Sequence, residues 1–312
     1  MKYFVTGGAG FVGCHLVRRL LASGKDTVSV YDNLSTGRMA HLSRYQDNPK
    51  FRFIRADLLD FKALVRGMKG QDCVFHLAAN SDIMRAMKSP ALDYDQGIRA
   101  TFHVLEAMRI HRIKKLVYLS GSGIYGDFGK TFVAESSGPL NPQSMYGAAK
   151  LASEAMIAAY SHLYGMRALI FRPANIIGPN PTHGILYDLI QKLKKNPRLL
   201  PVLGDGRQSK SYLHIEDFLN AVFFVLRRAK GKPGQFNVAS ETYIDVRSIA
   251  KLVVREMGLT RVRILYSGKK RGWVGDVPVY RLSIKKIKAL GWKPQMTSRD
   301  AVIRTIREIL QG

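Results

Sequence analysis

The chain is short of acid. Only 23 Asp and Glu residues stand against 49 Lys and Arg, a formal net charge of +26 over 312 residues. A field of that sign favours anionic partners and speeds their capture. The cations fall in short clusters, such as Lys192, Lys194, Lys195 and Arg227, Arg228, Lys230, Lys232. They lack the interleaved aromatics of a single-strand platform. Nucleic acid is therefore a partner that the charge leaves open and the pattern does not favour. Cysteine is equally scarce. Cys14 and Cys73 are too few for a disulfide framework or a thiolate metal site, and they read as small core residues in a reducing compartment; no metal is expected. No apolar run is long enough to span a bilayer. Met1-Lys2-Tyr3 leads straight into a strand-like run without signal-peptide character, so the expected location is the cytoplasm. There is no internal repeat, low-complexity tract or long linker.

What is present is organised around Thr6-Gly7-Gly8-Ala9-Gly10-Phe11-Val12-Gly13. It follows the apolar run Tyr3-Phe4-Val5 and opens a segment with helical spacing through Leu16, Val17, Leu20 and Leu21. A strand, a glycine turn and a helix N-terminus together make a pyrophosphate site, because the first helix amides have no partner inside the helix and the dipole adds to their pull. The same pattern also fits a plain structural corner. Asp32 tips the balance. It ends a second apolar run and places a carboxylate about 20 residues past the glycines, where the adenosine ribose of a dinucleotide would lie.

Strand-like runs at 2–6, 27–31, 51–55, 72–77, 115–119 and 167–171 alternate with helical patterns near 11–23, 59–68, 90–111 and 143–164. That alternation predicts an α/β fold, a parallel sheet covered by helices on both faces. His76, at the end of the fourth strand, reads as a packed strand-end residue rather than a catalyst. Past residue 172 prolines punctuate the chain. A helix at 217–228 and a strand at 235–239 return to the first layer, and helices at 245–257 and 298–310 belong to a smaller lobe.

Tyr146 and Lys150 open the longest mid-chain helix, one turn apart and so on one face. A phenol with a pKa near 10 is a poor base at neutral pH; a nearby ammonium favours the phenolate. Such a pair is common by chance. After the fifth strand of a dinucleotide fold it carries weight.

Thr6–Gly13, Asp32–Gly37, Asp57-Leu58, His76–Ala79, Tyr146 with Lys150, and Arg172-Pro173-Ala174-Asn175 together resemble the extended short-chain dehydrogenases/reductases of the NAD-dependent epimerase/dehydratase family. Gly204–Gln208 and Arg271–Pro278 carry the likeness into the second half, and the subgroup it resembles most is the nucleotide-sugar epimerases similar to UDP-glucose 4-epimerase. The resemblance implies a Rossmann-type doubly wound parallel sheet in residues 1–174, with return segments near 212–240, and a smaller α/β nucleotide-sugar-binding lobe in 175–312. It implies NAD held by Gly7, Gly10, Phe11, Val12, Gly13, Asp32, Asn33, Ser35, Thr36, Gly37, Asp57, Leu58, Leu77, Ala78, Ala79, Tyr146, Lys150 and Pro173. Asp32 would repel a 2′-phosphate, favouring NAD over NADP. Tyr146 would take the proton from the sugar 4-hydroxyl, and Lys150 would lower the Tyr146 pKa. Ser122, Tyr146, Asn175, Val202, Lys210 and Arg271 would meet the substrate, a UDP-hexose. Helix faces at 90–108 and 143–160 would form a homodimer seam or simply cover the sheet.

The chain departs from the family at two glycines. Gly121 stands where the family places Ser or Thr as partner of the reacting hydroxyl, and Gly97 where it places Asn. For Gly121 three readings stay open: Ser122, Ser120 or a water supplies the hydroxyl; the site has widened for another sugar or second step; or catalysis is lost. Lys210 also replaces the usual Arg, keeping charge without the bidentate fork. The leading expectation is a nucleotide-sugar 4-epimerase of the UDP-glucose/UDP-galactose type. A dehydratase is the enzymatic rival, but Ser122 and Gly123 occupy the positions of its acid and base. A non-catalytic NAD-binding protein with a polyanion-binding surface is the alternative outside enzymology.

Overall fold

In the computed structural model, which describes residues 1–80, 83–229, 232–268, 275 and 277–311, the sheet begins with β1 (Lys2–Thr6), β2 (Thr27–Asp32), β3 (Phe51–Arg55), β4 (Cys73–His76), β5 (Lys115–Leu119) and β6 (Arg167–Pro173). Four short strands follow, β7 (Asn175–Ile177), β8 (Leu199–Val202), β9 (Ser209–Lys210) and β10 (Tyr212–His214); then β11 (Gly234–Val238), β12 (Ile244–Asp245) and β13 (Arg263–Tyr266). Seven of them form one sheet in the order β11-β6-β5-β4-β1-β2-β3. The pairs from β6 through to β3 are all parallel. Phe4, Val5, Val28, Val30, Val74, Phe75, Leu116 and Val117 are buried, as continuous apolar strands covered on both faces must be.

The helices are α1 (Phe11–Leu21), α2 (Phe61–Met68), α3 (Ile83–Lys88), α4 (Ala91–Asp93), α5 (Ala100–Ile110), α6 (Met145–Tyr164), α7 (Ile185–Lys195), α8 (Ile215–Arg228), α9 (Val246–Glu256), α10 (Lys285–Ala289) and α11 (Ser298–Gln311). Their ends follow local chemistry. Asp60 accepts the Ala63 N–H at the start of α2, and Ser144 accepts the Gly147 N–H at 3.1 Å at the start of α6. Gly165, at φ +64°, ends α6 in the left-handed conformation that lacks a Cβ penalty.

The chain divides into two compact units. One holds Met1–Ile124, Ser144–Arg172 and Leu226–Phe236; the other holds Tyr125–Gln143, Pro173–Val225 and Asn237–Gly312. The core of the first packs Leu64, Met68, Val104, Met108, Tyr118, Ile157 and Ile170 together. The second packs Leu189, Leu193, Leu200, Ile249, Val253, Val302 and Ile306.

The helix expected over 90–111 is not continuous. Between α4 and α5 the chain makes a wide π-type turn at Tyr94–Arg99. Gly97 lies in it, and a Cβ there would stand 2.8 Å from the Ala149 Cβ of α6. The glycine therefore does more than weaken a helix: it lets the turn approach α6 one residue from Lys150. α7 and α10 and several short strands of the second unit have no counterpart in the sequence expectations.

Candidate active site

The chain passes from β1 outward to β2 and β3, then returns to β4 on the other side of β1. The carboxyl ends of β1 and β4 thus flank the switch point, where open α/β sheets bind ligands. Gly7 follows β1 at φ +70°, and a Cβ on it would sit 2.8 Å from the Ala78 backbone beyond β4. A Cβ on Gly10 would stand 3.3 Å from the Gly7 carbonyl oxygen, and one on Gly13 would overlap that carbonyl. Three glycines are needed for the turn and α1 to close on each other. α1 begins at Gly10 with no side-chain cap and no acid in its first turn, which leaves its positive end suited to an anion.

Asp32, buried at the end of β2, uses one oxygen to accept the Ala9 N–H at 2.9 Å and the other to accept the Leu34 N–H at 2.8 Å. Burial raises its pKa and those two amides oppose the rise. A carboxylate has about four lone-pair sites, so two hydroxyls can still donate to it. Gly37 keeps the approach clear, since a Cβ there would stand 3.1 Å from Asp32 Oδ2. Asn33 donates to Asp57 at 2.9 Å and accepts the Ser35 N–H, with Thr36 next in the same exposed turn. Asp57 also accepts the Leu59 N–H, and the carbonyl of buried Leu58 bonds His103 at 2.8 Å. Leu77, whose N–H donates to Thr6, stands with Ala78 and Ala79 half-buried beyond β4. The cradle and the carboxylate fit a dinucleotide.

His76 is fully buried between Thr6 Oγ1 at 2.7 Å and Thr101 Oγ1 at 3.0 Å. Burial, then the Lys150 charge, hold its pKa down at about 3, so it is a neutral packing residue, as its sequence position suggested.

Tyr146 and Lys150 share one face of α6. The Lys150 ammonium lies 5.7 Å from the Tyr146 ring centroid and 4.8 Å from that of Tyr118, and it donates to the Leu119 carbonyl at 2.6 Å. Burial lowers the Lys150 pKa to about 8 against the pull of Glu154 and Asp93. Tyr146 is pushed up to about 12 by burial and then by Asp93. In this state it is a phenol. A Cβ added to Gly121 would stand 3.6 Å from the Tyr146 hydroxyl, so position 121 does border the reacting group. Ser120 is committed elsewhere: its hydroxyl donates to Glu154 at 2.5 Å, inside the buried Glu154–Arg172 ion pair. Ser122, in the same turn as Gly121, is half-buried.

Two neighbours were not foreseen. Asp93 is 2% exposed; one oxygen accepts from Asn80 at 2.8 Å, and the other is buried with no hydrogen-bond partner among the described residues. Glu154 lies one helical turn past Lys150, a spacing readable on α6; nothing in the sequence pattern marked Asp93.

In the second unit, Asn175 sends its N–H and its side-chain amide to the Ser211 carbonyl at 3.3 and 3.4 Å, one residue along the chain from Lys210. Pro173 is buried at the end of β6. Val202 is packed in the core at 4% exposure, and its carbonyl accepts the Ser267 N–H. Arg271 lies outside the described residues.

A glycine cradle over a parallel-sheet switch point, with a tyrosine–lysine helix beside it, defines the class of dinucleotide-dependent α/β proteins. More narrowly, the chain belongs to the NAD-dependent epimerase/dehydratase family, whose model matches residues 3–239. It is 31% identical to a putative UDP-glucose 4-epimerase of Methanocaldococcus jannaschii, over 97% of this chain and 96% of that protein. Among solved structures it is similar to a UDP-galactose 4-epimerase (36% identity, TM-score 0.88, 100% and 99% of the two chains). It is also similar to the dTDP-glucose 4,6-dehydratase DesIV of Streptomyces venezuelae, solved with NAD bound (29% identity, TM-score 0.90, 100% and 98%). NAD is the cofactor, and the relatives include both epimerases and dehydratases.

Proposed function

We propose that the protein is an NAD-dependent nucleotide-sugar 4-epimerase acting on UDP-glucose and UDP-galactose. The observation that carries this reading is the turn beside Tyr146. Gly121, Ser122 and Gly123 offer one hydroxyl and no carboxyl group, so the elimination of water that a 4,6-dehydratase performs has no acid or base there. Bound NAD would supply the acceptor and donor of hydride for the sugar C4.

The chain's own residues supply the rest. Gly7, Gly10, Gly13 and the α1 amides of Phe11 and Val12 hold the pyrophosphate, and Asp32 takes the ribose hydroxyls. Tyr146 accepts the proton of the 4-hydroxyl and gives it back. A phenol at about 12 is a weak partner for that transfer, so a cation must favour its phenolate; Lys150, which keeps its ammonium below about pH 8, is placed on the same helix face. Ser122 orients the hydroxyl in place of the side chain missing at 121. Asn175, Lys210 and Arg271 meet the diphosphate, and Tyr280 stands where a bulky side chain, in the epimerases the chain resembles, narrows the sugar pocket against N-acetyl groups. A homodimer forms through α5 and α6, where Phe102 and the exposed alanines 155, 158 and 159 make an uncharged face.

The test is incubation of the purified protein with a panel of nucleotide sugars, followed by NMR. Interconversion of UDP-glucose and UDP-galactose is expected. A 4-keto-6-deoxy product would make it a dehydratase; retained NAD without turnover of any sugar would make it a binding protein. Conversion of UDP-N-acetylglucosamine at a similar rate would remove the sugar preference.

A further inference from the structure

A buried carboxylate, Asp93, stands against the catalytic helix without a direct part in proton or hydride transfer. It ends α4 and precedes the wide turn at Tyr94–Arg99. Asn80 donates to one of its oxygens at 2.8 Å, while the other is buried with no hydrogen-bond partner among the described residues. A buried acceptor without a donor costs stability, and such a group in a native fold calls for a reason. In low-dielectric surroundings its charge also acts strongly on whatever lies near.

What lies near follows from how the wide turn runs along α6. The Ser153 hydroxyl donates to Thr101 at 3.1 Å. One turn earlier on both elements, Gly97 meets Ala149. The two segments therefore run side by side in the same direction. One further turn back brings Asp93 to the start of α6, where Tyr146 stands, and α4 does pack on α6. Lys150 follows one turn on. Burial first, and then the Asp93 charge, push the Tyr146 pKa up to about 12. At Lys150 burial favours the neutral amine, while Glu154 and then Asp93 favour the ammonium.

The other charges around Asp93 are spoken for or lie in water. Glu154 on α6 is held by the Arg172 guanidinium at 2.6 Å and by the Ser120 hydroxyl, so its charge is largely cancelled at a distance. Asp95 and Arg99 in the wide turn pair with each other at 3.6 Å in contact with solvent. On α3, Lys88 is exposed, and the Arg85 side chain lies outside the described residues. His76 and Tyr118, which face Lys150, are kept uncharged by burial. Among the described residues, two buried cations, Lys150 and Arg172, thus stand with two buried carboxylates, Glu154 and Asp93. Arg172 takes Glu154, which leaves Asp93 for Lys150.

We propose that Asp93 is the buried counter-ion of Lys150, a positioning residue whose charge sets the pH range in which Tyr146 and Lys150 work. Its kinetic test rests on the epimerase reading; its unfolding test does not. Asp93→Asn keeps the shape and the acceptor for Asn80 and removes the charge. Loss of a neighbouring carboxylate lowers the pKa of the ammonium and of the phenol alike. Both limbs of the kcat/KM profile with UDP-galactose are therefore expected to move to lower pH by about one unit, whichever group gives which limb. D95N, in the same turn but in contact with solvent, should move neither. A profile lowered at every pH with its limbs in place would make Asp93 merely structural and overturn the proposal. For unfolding, urea midpoints of the parent, D93N, K150M and D93N/K150M are compared. An attractive coupling is expected at about pH 7 and should vanish at about pH 10, where Lys150, with its pKa of about 8, is neutral. No coupling at the lower pH, or the same coupling at both, would overturn the proposal. Asp93→Ser serves in both tests if D93N does not fold. Coupling without turnover of any sugar would remove the epimerase reading and leave the counter-ion in place.

Discussion

A Cβ at Gly121 would stand 3.6 Å from the Tyr146 hydroxyl and 3.8 Å from its ring, both ordinary contacts, so a serine fits there without displacing the tyrosine. Losing one positioned hydrogen-bonding group costs about 10²-fold in rate or more. Gly121→Ser is therefore expected to raise epimerase turnover by up to about 10²-fold, read as kcat with UDP-galactose. An unchanged kcat would mean that Ser122 already supplies the hydroxyl. Lys150 gives a second prediction, on stability. Its folded pKa of about 8 lies below the usual lysine value of about 10.4. The unfolded chain therefore binds the extra proton between those limits, and the Lys150 contribution to stability is complete above about pH 10.4 and lost as pH falls through about 8. Lys150→Met lacks this loss. Its stability relative to the parent should rise as pH falls across that window, by about 1.4 kcal/mol per pH unit, and level off below it. Urea unfolding of both proteins at several pH values measures the difference.

Among the elements, the wide turn at Tyr94–Arg99 packs closely against α6 at Ala149. Gly97 allows the approach, and its carbonyl accepts the Thr101 hydroxyl at 2.6 Å. Gly97→Ala puts a methyl 2.8 Å from the Ala149 Cβ, and overpacking of that kind costs about 1–3 kcal/mol. Ala149→Gly costs about 1 kcal/mol alone, through helix propensity. Combined, the two should cost less than their sum, because the second removes the methyl that the first strikes; denaturant unfolding of the four proteins closes the cycle. Elements of this kind mark the limit of what the sequence discloses. The sheet strands were legible because each is a short apolar run between turn residues, and the glycine cradle because its spacing is fixed by contact with phosphate. The turn at 94–99 was hidden inside a helical period, since one extra residue per turn leaves the apolar spacing nearly intact. The short strands β7, β9, β10 and β12 were hidden because two or three residues carry no period at all. Asp93 was invisible because its burial comes from tertiary packing that no local pattern records.

On the scale of the whole molecule, a formal charge of +26 works against folding, since every cation repels the others in the compact state. Much of that repulsion is diffuse and screened by salt, but the Lys115–Arg167 pair is local, exposed and fixed by strand register. Reversing one member turns a like-charge pair into an attractive one, a change worth about 0.2–1 kcal/mol at low ionic strength. Lys115→Glu is thus expected to raise the midpoint of urea unfolding, and Arg167→Glu to do the same. In K115E/R167E the two carboxylates repel each other as the two cations did, so the pairwise gain disappears and only the fall in overall positive charge remains. The three unfolding curves therefore separate the local pair from the global field. If the double variant is as stable as the sum of the singles, the two side chains do not interact. If it falls below both, the register pair is repulsive in the native protein. Lys115→Glu would then stabilise the fold by replacing that repulsion with an attraction.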